Sequence, residues 1–139
     1  MGMDSRVVRV HTGRAEATYN LTGECEAYLR DVAGGDDGLL HVWVPHATAG
    51  LAIIESGAGS DIDLLAALRD LLPPDDRWRH RHGSVGHGRD HVLPAFLPPF
   101  AMIPVIGGRM ALGTWQSVVL VDTNTDNQDR QIRLSFLAG

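Results

Sequence analysis

The sequence predicts an α+β fold, a compact single domain with a mainly antiparallel β-sheet or sandwich and two main helices. Short runs rich in Val and Leu recur along the chain between turn residues, which is typical of antiparallel strands. Two longer segments instead carry apolar residues at helical spacing. No linker or internal repeat divides the chain, and its 139 residues match the common domain size of about 100–150 residues. We therefore expect one domain over residues 1–139.

The first half of the chain is predicted to alternate strands with two helices. The first helix begins near Leu21, with Thr22 as its N-cap, and ends before the loop at residues 34–38. The second helix spans Asp61–Leu72, with Ser60 or Asp61 as its cap and an apolar stripe that includes Ile62. The predicted strands of this half are Arg6–His11, Ala15–Asn20, Leu39–Pro45 and Ala49–Glu55.

The second half is predicted to hold a long irregular segment followed by strands. Residues 75–99 are rich in His, Arg, Gly and Pro and have little periodicity. A loop of this length within one domain is usually functional or disordered. Gly107-Gly108 predicts a hairpin turn, and Asn124–Asn127 predicts a second turn. The strands predicted around these turns are Ala101–Val105, Arg109–Leu112, Ser117–Asp122 and Arg130–Leu137.

Composition excludes several classes of function. All 12 basic residues are Arg, so the chain has no Lys for a Schiff base or for a Gly-Lys-Ser/Thr phosphate loop. Cys25 is the single cysteine, which excludes a disulfide framework and a Cys-rich zinc site. A formal net charge of -5 argues against nonspecific nucleic-acid binding. The apolar runs are too short for a membrane span, and the first residues do not resemble a secretory signal. We expect a cytoplasmic protein with neither nucleic-acid nor membrane partners.

The densest chemical signal is a group of histidines in the irregular segment. His80, His82, His87 and His91 lie within 12 residues of one another. Neutral imidazole is the commonest metal ligand, and three nitrogens with one open position make a catalytic zinc site. The alternative is a solvated His-rich loop or an incidental metal-binding tract. Spacing alone does not select which histidines bind.

Further candidates lie at strand ends. His46 follows a buried strand at the start of a turn of small residues, a common place for a ligand-binding side chain. Glu55 ends the next strand and is either a proton acceptor or a solvated strand-end residue. His11 and His41 lie within strands and are interpreted as bystanders. Four arginines flank the histidines and suggest an anionic substrate, although solvated charge is the simpler explanation for each: Arg77, Arg79, Arg81 and Arg89.

Taken together, these segments resemble the YjbQ-like family, the secondary thiamine-phosphate synthase family. The resemblance rests on His46-Ala47-Thr48-Ala49, on Glu55, on His80 and His91 eleven residues apart, and on Leu112-Gly113-Thr114-Trp115-Gln116. It covers about Arg6 to Leu137. Ala47 and Thr48 replace Thr and Ser of the family segment, and Gly86-His87 replaces a polar pair. The resemblance implies a compact α+β domain that forms homotrimers and binds a metal through histidines near a subunit boundary.

The resemblance also implies roles for individual residues. His46, His80 and His91 are expected to hold a divalent metal, zinc foremost, with magnesium as the alternative for a pyrophosphate substrate. Glu55 and His87 are the expected catalytic residues, and His87 acts either as a ligand or in proton transfer. The residues expected to contact a small phosphorylated substrate are Thr48, Arg109, Thr114, Trp115 and Gln116.

Three functions remain open at this point. The first is the synthase reaction, in which a pyrimidine pyrophosphate joins a thiazole phosphate and pyrophosphate leaves. The second is metal-assisted hydrolysis of a phosphorylated metabolite, because a site of three neutral histidines also suits water activation. The third is a metal- or ligand-binding trimer without turnover.

Overall fold

A computed structural model describes residues 2–139 of the chain. In this range it contains eight strands, three α-helices and one 3-10 turn at Leu93–Ala95. The helices are α1 (Thr22–Val32), α2 (Ser60–Leu71) and the short α3 (His87–Asp90). The strands are β1 (Met3–His11), β2 (Ala17–Asn20), β3 (Gly38–Trp43), β4 (Ala49–Ile54), β5 (Phe100–Ile106), β6 (Arg109–Met110), β7 (Ser117–Asp122) and β8 (Asp129–Ala138).

The strands form two antiparallel sheets. The larger sheet has the order β1-β8-β3-β5-β6, and the smaller has the order β2-β7-β4. Each paired strand runs antiparallel to its neighbour, which confirms the predicted α+β class. The predicted turn at Gly107-Gly108 joins β5 to β6, and both glycines have positive φ angles of 58° and 80°. Glycine adopts this backbone region without the steric cost that a Cβ atom brings.

Two buried clusters fill the interior. In the first, α1 packs on the inner face of the larger sheet through Cys25, Tyr28 and Leu29. The Tyr28 hydroxyl donates to Asp4 Oδ1 at 2.9 Å and accepts from the Phe136 amide at 3.1 Å. The second cluster joins α2 and the 3-10 turn to the smaller sheet, and its buried members are Leu68, Leu72, Leu93, Val119 and Val121. The segment after α2 is therefore anchored to the core.

Three local predictions about the helices were wrong. Leu21, rather than Thr22, is the N-cap of α1, because the Thr22 hydroxyl accepts a hydrogen bond from the Val118 amide at 2.9 Å. Gly59 caps α2 instead of Ser60 or Asp61, and its φ of 99° turns the chain into the helix. Ile62 does not join the apolar stripe, because it is 71% exposed. Tertiary contacts decide these positions over local propensity.

The outer face of the larger sheet carries many exposed apolar side chains, with the polar Ser5, His41 and Arg133 among them. Its apolar side chains come from four strands that are directly paired in register. The exposed members are Met3, Val7, Leu39, Trp43, Phe100, Met102, Ile106 and Leu137. We call this set the outer apolar face. Within residues 2–139, no helix is both long enough and apolar enough to cross a membrane.

Candidate metal centre

The segment that follows α2 folds back on itself through specific contacts. The Trp78 indole donates to the Pro73 carbonyl at 2.9 Å, and Arg81 Nε donates to the Trp78 carbonyl at 3.1 Å. Gly88 lies so close to this turn that an added Cβ would come within 2.5 Å of both the His80 carbonyl and the Trp78 Cβ. This close approach brings the beginning of α3 against the chain around His80.

Four histidines converge in this segment. One ring nitrogen each from His80, His82, His87 and His91 lies within 4.8 Å of the others. The ring centroid of His80 lies 4.0 Å from that of His82 and 3.9 Å from that of His91. Nε2 of His87 lies 2.9 Å from Nε2 of His91. We call these four residues the histidine cluster.

The histidine cluster contains buried nitrogens without partners. His87 is 7% exposed. His80 Nε2 and His87 Nδ1 are buried and make no hydrogen bond to the described residues. Burial lowers the pKa of His80 and of His91, and the neighbouring histidines lower both further. The rings of His80 and His91 are therefore neutral near pH 7, which is the form that binds a metal.

These donors fit a divalent metal of the zinc type. Zinc binds imidazole nitrogen at about 2.0–2.1 Å with tetrahedral geometry, so its ligand nitrogens lie about 3.3 Å apart. The 2.9 Å contact and the 4.8 Å limit of the histidine cluster bracket that spacing. Magnesium prefers oxygen ligands, and the group contains imidazoles alone. The donor set thus favours zinc over magnesium.

Short helix α3 is held from behind by a buried arginine. Arg89 is 3% exposed, pairs with Glu16 through Nη2, and donates from Nη1 to the Leu72 carbonyl at 3.2 Å. Beside it, Asp90 Oδ1 accepts from the Thr123 hydroxyl at 2.6 Å. Burial raises the pKa of Asp90, while Thr123 and Arg89 oppose that rise. These contacts fix the helix that presents His87 and His91 four residues apart on one face.

His46 does not belong to the histidine cluster. Its Nε2 accepts a hydrogen bond from the Gln131 amide at 2.9 Å, which ties the end of β3 to β8. Burial lowers its pKa, and the charge of Arg130 lowers it further. The expected ligand set of His46, His80 and His91 is therefore not assembled within the described chain, which brings His82 and His87 to the last two instead. The four-residue spacing of His87 and His91 is the sequence signal for this pairing.

A buried polar network occupies the neighbouring region. Arg130 and Asp122, both 1% exposed in their side chains, form a bidentate pair with distances of 2.6 and 2.8 Å. The Thr48 hydroxyl accepts from Arg130 Nη2 at 2.9 Å and from Asn124 Nδ2 at 3.2 Å. Thr12 donates to Asp122 Oδ2 at 2.9 Å. We call these five residues the Arg130 network. Thr48, expected to contact substrate, lies inside it.

The other expected substrate residues lie in a different place. Arg109, Thr114 and Gln116 line a cleft of about 460 Å³ between α1 and the chain around β6, where Arg30 and Glu26 also contribute. Trp115 is 72% exposed and is not among the lining residues. A smaller cleft of about 180 Å³ lies beside His80 and His87. In the described part of the chain, the two clefts share no lining residue.

Glu55 lies just beyond β4, which ends at Ile54, and its side chain is exposed. The residues expected from sequence are thus spread over several places: the histidine cluster, the Arg130 network, the larger cleft and this strand end. Arg130 was not anticipated from the sequence. It lies in register with the buried Ile132, Leu134 and Phe136, and that alternation is the signal for an inward-facing arginine.

The fold and this site define a small α+β protein with a histidine-rich candidate metal centre. A model of the family described as UPF0047 protein YjbQ-like matches residues 6–139. The chain belongs to this family, as its sequence motifs indicated.

Relatives and solved structures agree with this membership. The UPF0047 protein Rv2556c of Mycobacterium tuberculosis is 56% identical over 99% of this chain and 100% of its own length. A UPF0047 protein of Synechocystis is 31% identical over 86% of this chain and 82% of its own length. The crystal structure of a hypothetical protein from Aeropyrum pernix matches with a TM-score of 0.86 and 32% identity, covering 98% of this chain and 99% of that one. A YbjQ-like protein of unknown function from Sulfolobus solfataricus shares the fold, with a TM-score of 0.91 at 24% identity and coverage of 99% of both chains.

Proposed function

We propose that this protein is a metal-dependent enzyme that acts on a small phosphorylated substrate. The observation that carries the proposal is the convergence of four imidazoles, two of which have a buried nitrogen without a hydrogen bond to the described residues. In this proposal, His80, His82, His87 and His91 are the residues that hold a zinc ion. When bound, a zinc ion supplies a Lewis acid for a phosphate oxygen or lowers the pKa of a water molecule.

The proposed reaction is of the thiamine-phosphate synthase type, with a pyrimidine pyrophosphate and a thiazole phosphate as substrates and pyrophosphate as the leaving group. Membership of the YjbQ-like family supports it. Arg81 lines the small cleft beside the histidine cluster, and Arg79 lies one residue before His80. Since the chain has no Lys, these guanidinium groups are the fixed positive charges that would neutralise a departing pyrophosphate there.

A second candidate is metal-assisted hydrolysis of a phosphorylated metabolite. The all-imidazole donor set favours it, because neutral nitrogen ligands are those of water-activating zinc sites. The two reactions place the same demands on His80 and His91 and differ in the nucleophile. Family membership, rather than a contact with the histidine cluster, supports Glu55 as the proton acceptor in either reaction. The burial of His87 among the other rings favours a ligand role for His87.

The decisive experiment compares zinc content and turnover in the same preparations. Purified protein with and without zinc is assayed for thiamine phosphate formation and then against a panel of phosphorylated metabolites. We expect zinc-dependent turnover that His80→Ala abolishes and that His11→Ala, a change at an exposed strand histidine, leaves unchanged. Hydrolysis without synthesis selects the second candidate. Stoichiometric zinc without any turnover indicates a binding protein and overturns both enzyme proposals.

Glu55 has a test of its own. Glu55→Gln removes the carboxylate but keeps nearly the same shape, so we expect zinc binding and stability to stay as in the wild type. Loss of a general base lowers the rate by about 10²–10⁴-fold. Steady-state kinetics on the reaction found above measure this effect, with Glu24→Gln on α1, which lines neither cleft, as the matched control. Unchanged kcat in Glu55→Gln removes this residue from the mechanism.

We also propose that the protein is a cytoplasmic homotrimer. The outer apolar face supports assembly, because contiguous exposed apolar surface of this kind usually marks an interface. A single buried Cys25 without a disulfide suits a reducing compartment. Light scattering after size-exclusion chromatography gives the mass, and Met102→Glu on that face is expected to shift it to the monomer. A wild-type mass of one chain contradicts the assembly.

A further inference from the structure

Asp126 connects a distant turn to the histidine cluster. It lies between β7 and β8, in the turn that Asn124 begins by accepting the Asp126 amide at 2.9 Å. Its Oδ2 accepts from the amide and from the hydroxyl of Ser84, each at 3.1 Å. The same oxygen lies 3.1 Å from His87 Nδ1. One carboxylate oxygen thus touches both the loop between His82 and His87 and one of the histidine rings.

The His87 ring faces two different partners through its two nitrogens. Nε2 lies 2.9 Å from His91 Nε2, on the side of the cluster. Nδ1 is buried, lies near the Asp126 carboxylate, and completes no hydrogen bond with the described residues. A buried ring nitrogen without a partner is costly, so the nearby carboxylate is its natural acceptor.

We propose that Asp126 is a positioning residue that accepts the Nδ1 proton of His87 and thereby turns the Nε2 lone pair toward the histidine cluster. This inference rests on the proposed metal site. A carboxylate behind a ligating histidine fixes the tautomer and orientation of the ring and raises its basicity as a ligand. In the metal-free protein, His91 Nε2 then carries the proton of the 2.9 Å contact.

The local packing is specific for this arrangement. A Cβ atom added to Gly83 would lie 2.7 Å from Asp126 Oδ2 and 3.1 Å from His87 Cγ, and Gly83 has a φ of 85°. Glycine at this position leaves the space in which the carboxylate and the ring approach each other, and it adopts the positive φ without the steric cost of a Cβ atom. Asp90 is the other carboxylate near His87 Nδ1, but its Oδ2 lies 3.7 Å away, and its Oδ1 is engaged by Thr123 at 2.6 Å.

The test measures zinc affinity by chelator competition at one fixed pH. Asp126→Asn keeps an oxygen near Ser84 and removes the charge behind His87, so we expect zinc affinity about 10–100-fold below that of the wild type. Asp129→Asn, an exposed change at the first residue of β8, is the matched control and keeps wild-type affinity. Ser84→Ala removes the hydroxyl contact alone. A loss in Ser84→Ala equal to that in Asp126→Asn shows loop anchoring instead and overturns the inference.

A second readout examines the tautomer without any metal. In protein labelled with ¹⁵N-histidine, we expect the His87 signals to show a proton on Nδ1 in the wild type and on Nε2, at least in part, in Asp126→Asn. An unchanged tautomer with unchanged zinc affinity overturns the inference while the metal site stands. Wild-type protein that binds no zinc overturns the proposed function itself, so the two failures are distinguishable.

Discussion

The Arg130 network and the histidine cluster are both groups of converging polar side chains, yet they differ in burial and in how completely those side chains are partnered. In the network, the guanidinium of Arg130 meets Asp122 and Thr48, and Asn124 meets Thr48 as well. In the cluster, His80 Nε2 has no hydrogen-bond partner among the described residues, and His87 Nδ1 has the Asp126 carboxylate at 3.1 Å without a completed hydrogen bond. A fully hydrogen-bonded network stabilises one arrangement of the chain, whereas a buried ring nitrogen without a hydrogen-bond partner can bind a ligand. The contrast supports a structural role for the Arg130 network and the proposed metal-binding role for the histidine cluster.

The largest expected effect is the loss of stability in Arg130→Met, which tests the structural role of the Arg130 network. The substitution leaves the Asp122 carboxylate buried without its ion pair, so the free energy of unfolding should fall by about 3–5 kcal/mol. Urea titration followed by circular dichroism measures it. Arg133→Met, at an exposed position of the same strand, should change it by less than about 0.5 kcal/mol. Should the Met variant not fold, Asp122→Asn gives a milder form of the same loss. A loss below about 1 kcal/mol in Arg130→Met would contradict the structural role, because buried charge pairs cost more than that to break.

The next largest expected effect is on zinc affinity, which should differ between variants of His91 and His46. His91→Ala should weaken zinc binding by more than about 100-fold, beyond the range for a residue that acts through a ligand. His46→Ala should keep zinc affinity close to wild type, since its Nε2 is engaged by Gln131. Chelator competition with purified variants measures both. If His46→Ala loses zinc as strongly as His91→Ala, the metal site includes His46 and the histidine cluster is not the complete ligand set.

A smaller effect is expected from Thr48→Val. The change removes the acceptor of Arg130 Nη2 and Asn124 Nδ2 while keeping the volume of the side chain. Leaving these donors unsatisfied should lower the free energy of unfolding by about 1–3 kcal/mol. Thermal or urea unfolding reports the loss, and Thr18→Val on β2 serves as a control. Full stability together with a raised KM in Thr48→Val would instead support the substrate contact that the sequence predicts for Thr48.

The smallest effect is a pH dependence of the metal-free protein. The folded pKa of His80 and of His91 lies below the ordinary value of 6.5, mainly because of burial. The unfolded chain therefore binds more protons, and stability falls as the pH drops below about 6.5 toward the folded values. Urea midpoints between pH 7.5 and 5 should show a shallower slope in the His80→Ala/His91→Ala double variant. Identical slopes in the two proteins would show that the pKa values of these two rings are not lowered in the folded protein.

Much of the fold follows from patterns that are local in sequence. Alternating or continuous apolar runs located the strands, and the helical spacing around Leu68 and Leu72 located α2. The caps were wrong because a hydroxyl such as that of Thr22 has a competing partner, the Val118 amide, which is far away in sequence. Local propensity contains no information about that partner.

The same difference between local and distant contacts explains which parts of the candidate site the sequence predicted. His80 and His91 lie in one segment, so their meeting depends on a local loop and on α3. The place of His46 depends instead on how β8 pairs beside β3, which brings the Gln131 amide to its ring. An arginine is expected at the surface from its residue type alone. The alternation of Arg130 with the buried Ile132 and Leu134 along β8 instead predicts that it faces inward. Register along a strand therefore deserves more weight than residue type when buried charges are sought.

The pairing of β1 with β8 also constrains the order in which the protein forms during synthesis. Within residues 2–139, β1 lies at the edge of its sheet with β8 as its neighbour, and His11 is matched with Asp129. β1 leaves the ribosome well before β8, so its backbone groups stay unpaired until β8 is made. The segment of His80 to His91 also emerges before β8, and Asp126, which lies 3.1 Å from His87, emerges just before that strand. A nascent chain thus carries the four histidines of the cluster before it has the carboxylate that lies against one of them.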